Sequence, residues 1–229
     1  MIPYVLTPMP YRHNSAGIRA LHRLIHEINQ RGIPAYADNG NPAWFERPLA
    51  AYAESIAPIM IYPEVVSGNP FGMERVVRWT LNTPGYLAGD TSYAPTERVF
   101  TWSKRFYDAP LLTVDVLEHE LFNADGTGVR DTDCFYVGKG PKRGANKDAS
   151  VDGMTEITLA FPPTRAEVAA LLRRTRTLYT YDDCTSLTDE AIDCGCEVIL
   201  LPEGTPLSRN PLEDHGARID AFIAATQDW

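Results

Sequence analysis

A basic loop in the second half of the chain has the residue types that binding a phosphorylated ligand requires. Lys139, Lys142, Arg143 and Lys147 lie in a glycine-rich segment, with no acidic residue between Gly138 and Lys147. Glycine allows the backbone to approach an anion closely, and Lys and Arg supply the opposing charge. The pattern therefore predicts a phosphate site, and a solvated basic loop is the alternative.

A pair of acidic residues follows at a spacing that favours the same kind of ligand. Asp182 and Glu190 flank a predicted helix start at Thr185 and Ser186, directly after a predicted strand that ends near Tyr181. Free amides and the dipole at a helix N-terminus favour a phosphate, and carboxylates accept hydrogen bonds from sugar hydroxyls. Helix capping by these acidic residues is the alternative.

Four polar residues of the first half are candidates for binding a second substrate. His13 and Asn14 lie between the first strand and the first helix, and His13 has the side chain for acid–base chemistry near neutral pH. Glu64 follows a strand and is a candidate for substrate contact or proton transfer, with a salt bridge to an arginine as the alternative. Asn69 has the amide for a sugar hydroxyl, although Asn-Pro is also ordinary turn chemistry.

Other conspicuous side chains are assigned structural roles. His22 and His26 are one helical turn apart but lack the glutamate of HExxH, so both are expected to face solvent. Trp44, Trp79 and Trp102 are expected mainly in the core, with stacking on sugar rings as the minority interpretation.

Composition excludes several classes of protein. The 229 residues include 21 Lys and Arg against 30 Asp and Glu, a net charge of -9 that disfavours general binding to nucleic acid. No apolar run reaches the ~18 residues of a transmembrane helix, and the first residues lack the pattern of a secretion signal. The four cysteines lack zinc-site spacing and are predicted to be reduced and mostly buried. A cytoplasmic location is expected, and the sequence leaves the oligomeric state open.

Strands and helices alternate along the chain, which predicts parallel α/β sheets. In the first half, a strand at 4–7, an amphipathic helix at 15–32 and a strand at 33–36 form a βαβ unit. Further strands are predicted at 59–62, 98–103 and 111–116, and a helix at 73–81.

The second half repeats the alternation. Strands are predicted at 134–137, 156–159, 178–181 and 198–201, and short helices after Thr164 and Ser186. Thr164 and Glu167 form a capping-box pattern behind two prolines. We therefore expect two small Rossmann-like lobes with a ligand cleft between them: 1–122, 123–215, and a closing helix at 216–229. One continuous α/β sheet is the alternative.

Several segments together resemble the GT-B fold glycosyltransferases, in particular the family 4-like group that includes bacterial surface-polysaccharide transferases. TLYTYDDCTSLTDEAIDCGCEVIL is similar to their donor-binding segment, in which an acid-x7-Glu pair precedes a small-residue helix, a glycine and a hydrophobic strand. CFYVGKGPKRG resembles the strand and loop that carry basic residues to the donor diphosphate. HNSAGIRALHRLIHEINQRG resembles the first helix of the acceptor lobe, and YPEVVSGNPFGMERVVRWTLNTPG is similar to a segment of bacterial surface-polysaccharide transferases.

The resemblance implies transfer of a sugar from a nucleoside diphosphate sugar, of UDP or GDP type, to a glycan, lipid-linked or small acceptor. It implies no essential metal, no organic cofactor and retention of anomeric configuration. Glu190 would hold the ribose and Asp182 would approach the sugar, with His13 as a further catalytic candidate. The implied donor-binding residues are Lys139, Lys142, Arg143, Tyr181, Thr185, Ser186 and Glu190, and the acceptor-binding residues are Asn14, Glu64 and Asn69.

Two alternatives to catalytic glycosyl transfer are open at this point. Asp182 stands where the family has its first glutamate, and the chain is short for two nucleotide-binding lobes. Both features favour a non-catalytic nucleotide-sugar-binding module or partner subunit. An epimerase-like enzyme of another α/β type that shares only the phosphate site is the third hypothesis.

Overall fold

The chain folds into two parallel-strand units, as the alternation predicts. The computed structural model describes residues 1–53, 56–210 and 214–229, with the side chain of Arg143 outside the described part. Unit 1 contains Met1–His13, Gly17–Asp115 and the residues from Asp214 onward, whereas unit 2 contains Asn14–Ala16 and the chain from Val116 to Asn210. The predicted division at 122–123 thus lies a few residues beyond the observed one, and the closing helix groups with unit 1.

Unit 1 is built on a sheet of six strands with two helices. The strands are β1 (Tyr4–Leu6), β2 (Ala35–Ala37), β3 (Arg47–Pro48), β4 (Ile59–Pro63), β5 (Arg75–Thr80) and β6 (Arg98–Thr101), and the helices are α1 (Ala16–Gln30) and α4 (His215–Thr226). All neighbouring strands are parallel, in the order β3-β2-β1-β4-β5-β6. This is the strand order of a doubly wound fold, whose ligands bind at the carboxyl ends of the strands.

Unit 2 is built on a sheet of five strands with two helices. The strands are β7 (Thr132–Tyr136), β8 (Thr155–Ile157), β9 (Thr175–Thr180), β10 (Glu197–Leu200) and β11 (Thr205–Pro206), and the helices are α2 (Arg165–Arg174) and α3 (Ser186–Asp193). The order is β11-β10-β9-β7-β8, parallel except for the short β11 at the edge. The two-lobe α/β prediction is therefore confirmed.

The predicted helix at 73–81 is wrong, because this segment is the strand β5. Strand β5 lies between β4 and β6, and Val76, Val77, Arg78, Trp79 and Thr80 are all buried. A strand covered on both faces loses the alternation of polar and apolar residues that identifies a strand in sequence. The expected strand at 111–116 is also wrong, since its only ladder contact is an isolated bridge between Thr101 and Leu111.

Local capping signals were more reliable. Thr164 accepts a hydrogen bond from the Glu167 amide while Glu167 accepts one from the Thr164 amide, which forms the predicted capping box of α2. Helix α3 begins after Thr185 and ends before Gly195, whose φ of 84° is the left-handed conformation that favours glycine at a helix end.

The core of unit 2 contains three of the four cysteines. Cys134, Cys194 and Cys196 are buried among aliphatic side chains, and all four thiols are free, as predicted. Burial raises the pKa of Cys194 to about 11 and that of Cys196 to about 12. These thiols are therefore protonated at neutral pH, and the Cys196 thiol donates a hydrogen bond to the Leu172 carbonyl at 3.1 Å.

Helix α4 completes the core of unit 1. Its Phe222 packs against Tyr4 of β1 and Phe100 of β6, with ring centroids 5.6 and 5.0 Å apart. The hydroxyls of Tyr4 and Thr226 are hydrogen-bonded to each other. The first strand and the last helix of the described chain thus share one hydrophobic core.

Candidate functional site

The predicted phosphate-binding segments meet at one position of the unit 2 sheet. Strand β7 connects to β8 on one side and its neighbour β9 connects to β10 on the other side, so the connections from these two adjacent strands leave in opposite directions and create a topological switch point between β7 and β9. Lys139 follows β7 and Asp182 follows β9. Ligands of open α/β sheets bind at such a point, outside the carboxyl ends of the strands.

Asp182 is fully buried and organises the segments around it. Its Oδ2 accepts a hydrogen bond from the Lys139 amide at 3.0 Å and lies 2.9 Å from the Lys139 Nζ, while its Oδ1 accepts one from the Cys184 amide at 3.0 Å. The Lys139 ammonium also donates to the Cys184 carbonyl at 2.5 Å. The carboxylate therefore fixes both the basic loop and the approach to α3.

The glycines of the basic loop are required by packing against β9. A Cβ on Gly138, whose φ is 51°, would lie 2.6 Å from Asp182 Oδ2. A Cβ on Gly140 would lie 2.6 Å from the Tyr181 Cβ and 2.8 Å from the carbonyl oxygens of Tyr181 and Ala145. Close approach of loop to strand thus accounts for glycines that the sequence analysis related to an anion.

Replacing Gly140 with alanine is expected to destabilise unit 2 by about 1–3 kcal/mol, the usual cost of forcing a methyl group into a packed site. The atoms that it would meet belong mainly to the backbone and cannot rotate away. Denaturant unfolding and hydrogen exchange of the Lys139 amide are the measurements. Gly128→Ala is the matched control, because nothing lies within 4 Å of its added Cβ; equal stability of the two variants would contradict the prediction.

Helix α3 brings the second acidic residue to the same place. The Thr185 side chain caps the helix by accepting a hydrogen bond from the Leu187 amide, and Glu190 is 1% exposed. The pKa of Tyr136 is raised by burial and, to a smaller extent, by the negative charges of Asp182 and Glu190. Tyr136 is also hydrogen-bonded to Thr185, so these four side chains form one cluster.

Glu190 is held by an arginine that the sequence analysis did not single out. Arg165, the first residue of α2, donates from Nη1 to Oε2 at 2.9 Å and from Nη2 to Oε1 at 2.8 Å. Its Nε donates to Glu118 at 3.1 Å, and its guanidinium lies 4.2 Å from the centre of the Phe122 ring. The only local signal was the position of Arg165 at N1 of the capping box.

The other predicted donor-binding residues differ in accessibility. Lys142 is exposed, Ser186 is half-buried at the start of α3, and the arrangement of the Arg143 side chain lies outside the described part of the chain. Tyr181 is buried, and its hydroxyl accepts a hydrogen bond from the Asp148 amide at 3.2 Å. Lys142 and Ser186 are thus the accessible members of this group.

Glu64 lies at the carboxyl end of β4, and the switch point of unit 1 is between β4 and β1. It follows β4 directly, is 3% exposed, and its Oε2 accepts a hydrogen bond from the Leu81 amide at 2.9 Å. Burial raises the pKa of this carboxyl to about 7 although backbone amides donate to it. A buried carboxyl with this proton affinity is suited to hold and transfer a proton near neutral pH.

The arginines proposed as alternative partners of Glu64 bind elsewhere. Arg75 donates to the Ala57 carbonyl at 3.0 Å. Arg78 is fully buried and forms a two-point contact with Glu97 at 2.9 and 3.2 Å. Among the described contacts of Glu64, backbone amides are the partners, and no arginine is among them.

The remaining acceptor-side candidates are mostly exposed. His13 is exposed, and Asn14 is exposed and donates to the Leu159 carbonyl at 2.7 Å within unit 2. The Asn69 amide is used in a turn: its oxygen accepts from the Met73 amide and its nitrogen donates to the Met73 carbonyl. Of these three residues, Asn14 and Asn69 have side-chain hydrogen bonds that stabilise local structure, and none is described for His13.

Two sequence-based assignments of aromatic residues need comment. His22 was expected to face solvent, and this is wrong: it is fully buried, 2.6 Å from Glu46 Oε2 and 2.7 Å from the Met9 carbonyl oxygen. The buried face of helix α1 includes His22, and both ring nitrogens of this histidine lie within hydrogen-bond distance of an oxygen atom. Trp79 is in the core, where its indole donates to the Leu112 carbonyl, while Trp44 and Trp102 are half-buried.

Comparison with protein-family models, curated proteins and solved structures gave no match to this chain. Within the described residues, no helix has the length and apolarity needed to cross a membrane. No group of three His, Cys, Asp or Glu side chains is placed to hold a metal ion in the same part of the chain. Inference about function therefore rests on the two switch points and their side chains.

Proposed function

We propose that the protein is a glycosyltransferase that moves a sugar from a nucleoside diphosphate sugar to a glycan, lipid-linked or small acceptor. The observation that carries this proposal is the convergence of Lys139, Asp182, Thr185 and Glu190 at the switch point of unit 2. The implied setting is polysaccharide biosynthesis in the cytoplasm.

In this proposal unit 2 holds the donor. The diphosphate is met by the Lys139 ammonium, by Lys142 and by the amides at the start of α3, because a leaving diphosphate gains negative charge as the glycosidic bond breaks. Lys139 is held in place by the buried Asp182, and in this proposal Asp182 also approaches the donor sugar. Glu190 accepts hydrogen bonds from the ribose.

Unit 1 holds the acceptor in this proposal. Glu64 is a buried carboxyl at the carboxyl end of β4, one of the two strands that flank the switch point of unit 1, and His13 is an exposed imidazole in the loop after β1. A hydroxyl acceptor loses its proton as the new bond forms, so a group that binds a proton near neutral pH supports this assignment.

A non-catalytic nucleotide-sugar-binding module is the second candidate. It is favoured by one observation: the two acidic candidate residues of unit 2 are already paired with cations of the chain, Asp182 with Lys139 and Glu190 with Arg165. Binding without turnover would distinguish this module from the enzyme.

The test is a thermal-unfolding panel with UDP, GDP, dTDP, CDP, ADP and NAD. A ligand at ~100 times its dissociation constant stabilises the folded protein by ~2.7 kcal/mol, which is visible as a raised melting temperature. We expect one nucleoside diphosphate to stabilise the protein. Lys142→Glu is expected to weaken the affinity for that nucleotide about tenfold, because the variant loses a charged contact with the phosphates.

Lys104→Glu is the matched control, since Lys104 is an exposed lysine of unit 1 whose reversal changes the net charge equally. The matching nucleotide sugar is then incubated with the protein, and release of the nucleoside diphosphate is followed by chromatography. Binding with release supports the enzyme, and binding without release supports the module. Stabilisation by NAD alone, or by none of the six compounds, would refute both.

A further inference from the structure

Arg165 contacts Glu190 at two points, in the way that a ligand with two adjacent donors would contact a carboxylate. The two guanidinium nitrogens donate in parallel to the two carboxylate oxygens, at 2.9 and 2.8 Å. The carboxylate side chain is 1% exposed, and the arginine side chain is 14% exposed. Both carboxylate oxygens of Glu190 thus accept a hydrogen bond from a side chain of the same protein.

The arginine is the more accessible partner of the pair. It extends from the first turn of α2 and has a second acceptor in Glu118, whose side chain is 32% exposed. Glu190 lies on α3, within the cluster that includes Tyr136 and Asp182. Glu118 is thus an acceptor that Arg165 does not share with Glu190, and it remains available to the guanidinium if the contact with Glu190 is broken.

A vicinal diol donates to a carboxylate in the same two-point manner as a guanidinium. The 2′- and 3′-hydroxyls of a ribose present two adjacent O–H donors to the two oxygens of one carboxylate. We propose that Arg165 occupies the ribose position in the free protein, and that binding of a ribonucleotide displaces it from Glu190. This inference rests on the proposed donor site in unit 2.

Displacement of Arg165 predicts that one substitution changes stability and nucleotide affinity in opposite directions. Removing Arg165 leaves a buried carboxylate without its cation, which lowers the stability of the free protein. The same change removes the competitor of the diol, so the ribonucleotide binds more tightly; apparent affinity rises as the fraction of competent protein rises. A purely structural arginine would lower stability and leave affinity unchanged or weaker.

The experiment measures binding of UDP and 2′-deoxy-UDP, and of GDP and 2′-deoxy-GDP, to the wild type and Arg165→Met by calorimetry. We expect the ribonucleotide that binds to do so about tenfold more tightly in Arg165→Met, with a gain below about threefold for its 2′-deoxy counterpart. The melting temperature of the free variant is expected to fall. Arg174→Met is the matched control, because Arg174 is also an arginine of α2 and its ion pair with Asp131 is exposed.

Arg165→Lys keeps the positive charge but cannot donate two parallel hydrogen bonds to the carboxylate. It is measured in parallel in case Arg165→Met does not fold, and its affinity for the ribonucleotide is expected to rise as well. Unchanged or weaker ribonucleotide binding in the folded variants overturns the inference but leaves the donor site intact. An equal gain for ribonucleotides and deoxyribonucleotides also overturns it. If no nucleotide binds the wild type or any variant, the proposed function itself fails, and this inference fails with it.

Discussion

Replacing Arg78 with methionine is expected to lower the free energy of unfolding of unit 1 by about 3–5 kcal/mol, the usual effect of removing one partner of a buried ion pair. Arg78 is fully buried in β5, and Glu97, its partner, has a side chain that is 8% exposed. Methionine has a similar length, so the loss comes from the uncompensated carboxylate and not from a large cavity.

Arg78 also anchors the segment that follows β4. Its guanidinium donates to the carbonyls of Val66 and Gly68 at 2.6 and 2.7 Å, and it lies 5.1 and 4.9 Å from the ring centres of Tyr62 and Tyr93. Cation–π contacts of a desolvated arginine add to the ion pair. Loss of Arg78 is therefore expected to increase hydrogen exchange throughout residues 64–73.

The measurement is denaturant unfolding, with hydrogen exchange to assign the change to unit 1. Arg75→Met is the matched control, since Arg75 begins the same strand and donates to one carbonyl at its exposed end. A loss below about 1 kcal/mol in Arg78→Met, the range of an exposed pair, would show that the buried contact contributes little.

Glu64→Gln is expected to remove a pH dependence of stability amounting to about 3 kcal/mol. Burial raises the pKa of Glu64 from 4.5 to about 7, so the folded state holds a proton that the unfolded state has released between these values. Folding therefore becomes less favourable as pH rises from 4.5 to about 7, and each tenfold difference in proton affinity corresponds to about 1.4 kcal/mol. The contribution is fully present below pH 4.5 and is lost above pH 7.

Glutamine resembles the protonated side chain and keeps an oxygen for the Leu81 amide. The variant is expected to match the wild type near pH 4.5 and to exceed it in stability at pH 8. Urea unfolding at half-unit pH steps gives both curves. Glu74→Gln, at an exposed position just before β5, is the control that should keep the wild-type pH dependence; parallel curves for Glu64→Gln and the wild type would contradict the prediction.

Local chemistry explains which parts of the fold could be predicted. The capping box of Thr164 and Glu167 is made by residues three positions apart, so its geometry is contained in the segment itself. Strand β5 is buried in the middle of the sheet, between β4 and β6, and the charge of Arg78 is compensated there by Glu97 and by the carbonyls of Val66 and Gly68. No pattern within residues 73–81 carries that information.

The candidate site shows the same division. The sequence pattern placed Lys139 and Asp182 at the ends of two strands, and the topology brings these ends together. The pairing of Glu190 with Arg165 joins residues from different helices, and no spacing rule relates them. The sequence pattern related the glycines of this loop to an anion, whereas the need for glycine at positions 138 and 140 comes from contact with Asp182 and Tyr181, which no pattern within the loop contains.

The shared core of β1 and α4 affects how the protein folds during synthesis. Tyr4 contacts Phe222 and Thr226 across more than 200 positions, and the whole of β7 to β11 lies between them in the chain. Contacts of such high sequence separation carry a large loop-closure entropy and form late. Unit 2 can therefore be complete while the unit 1 sheet still exposes Tyr4 and Phe100, and a nascent chain in this state is the one most in need of protection from aggregation.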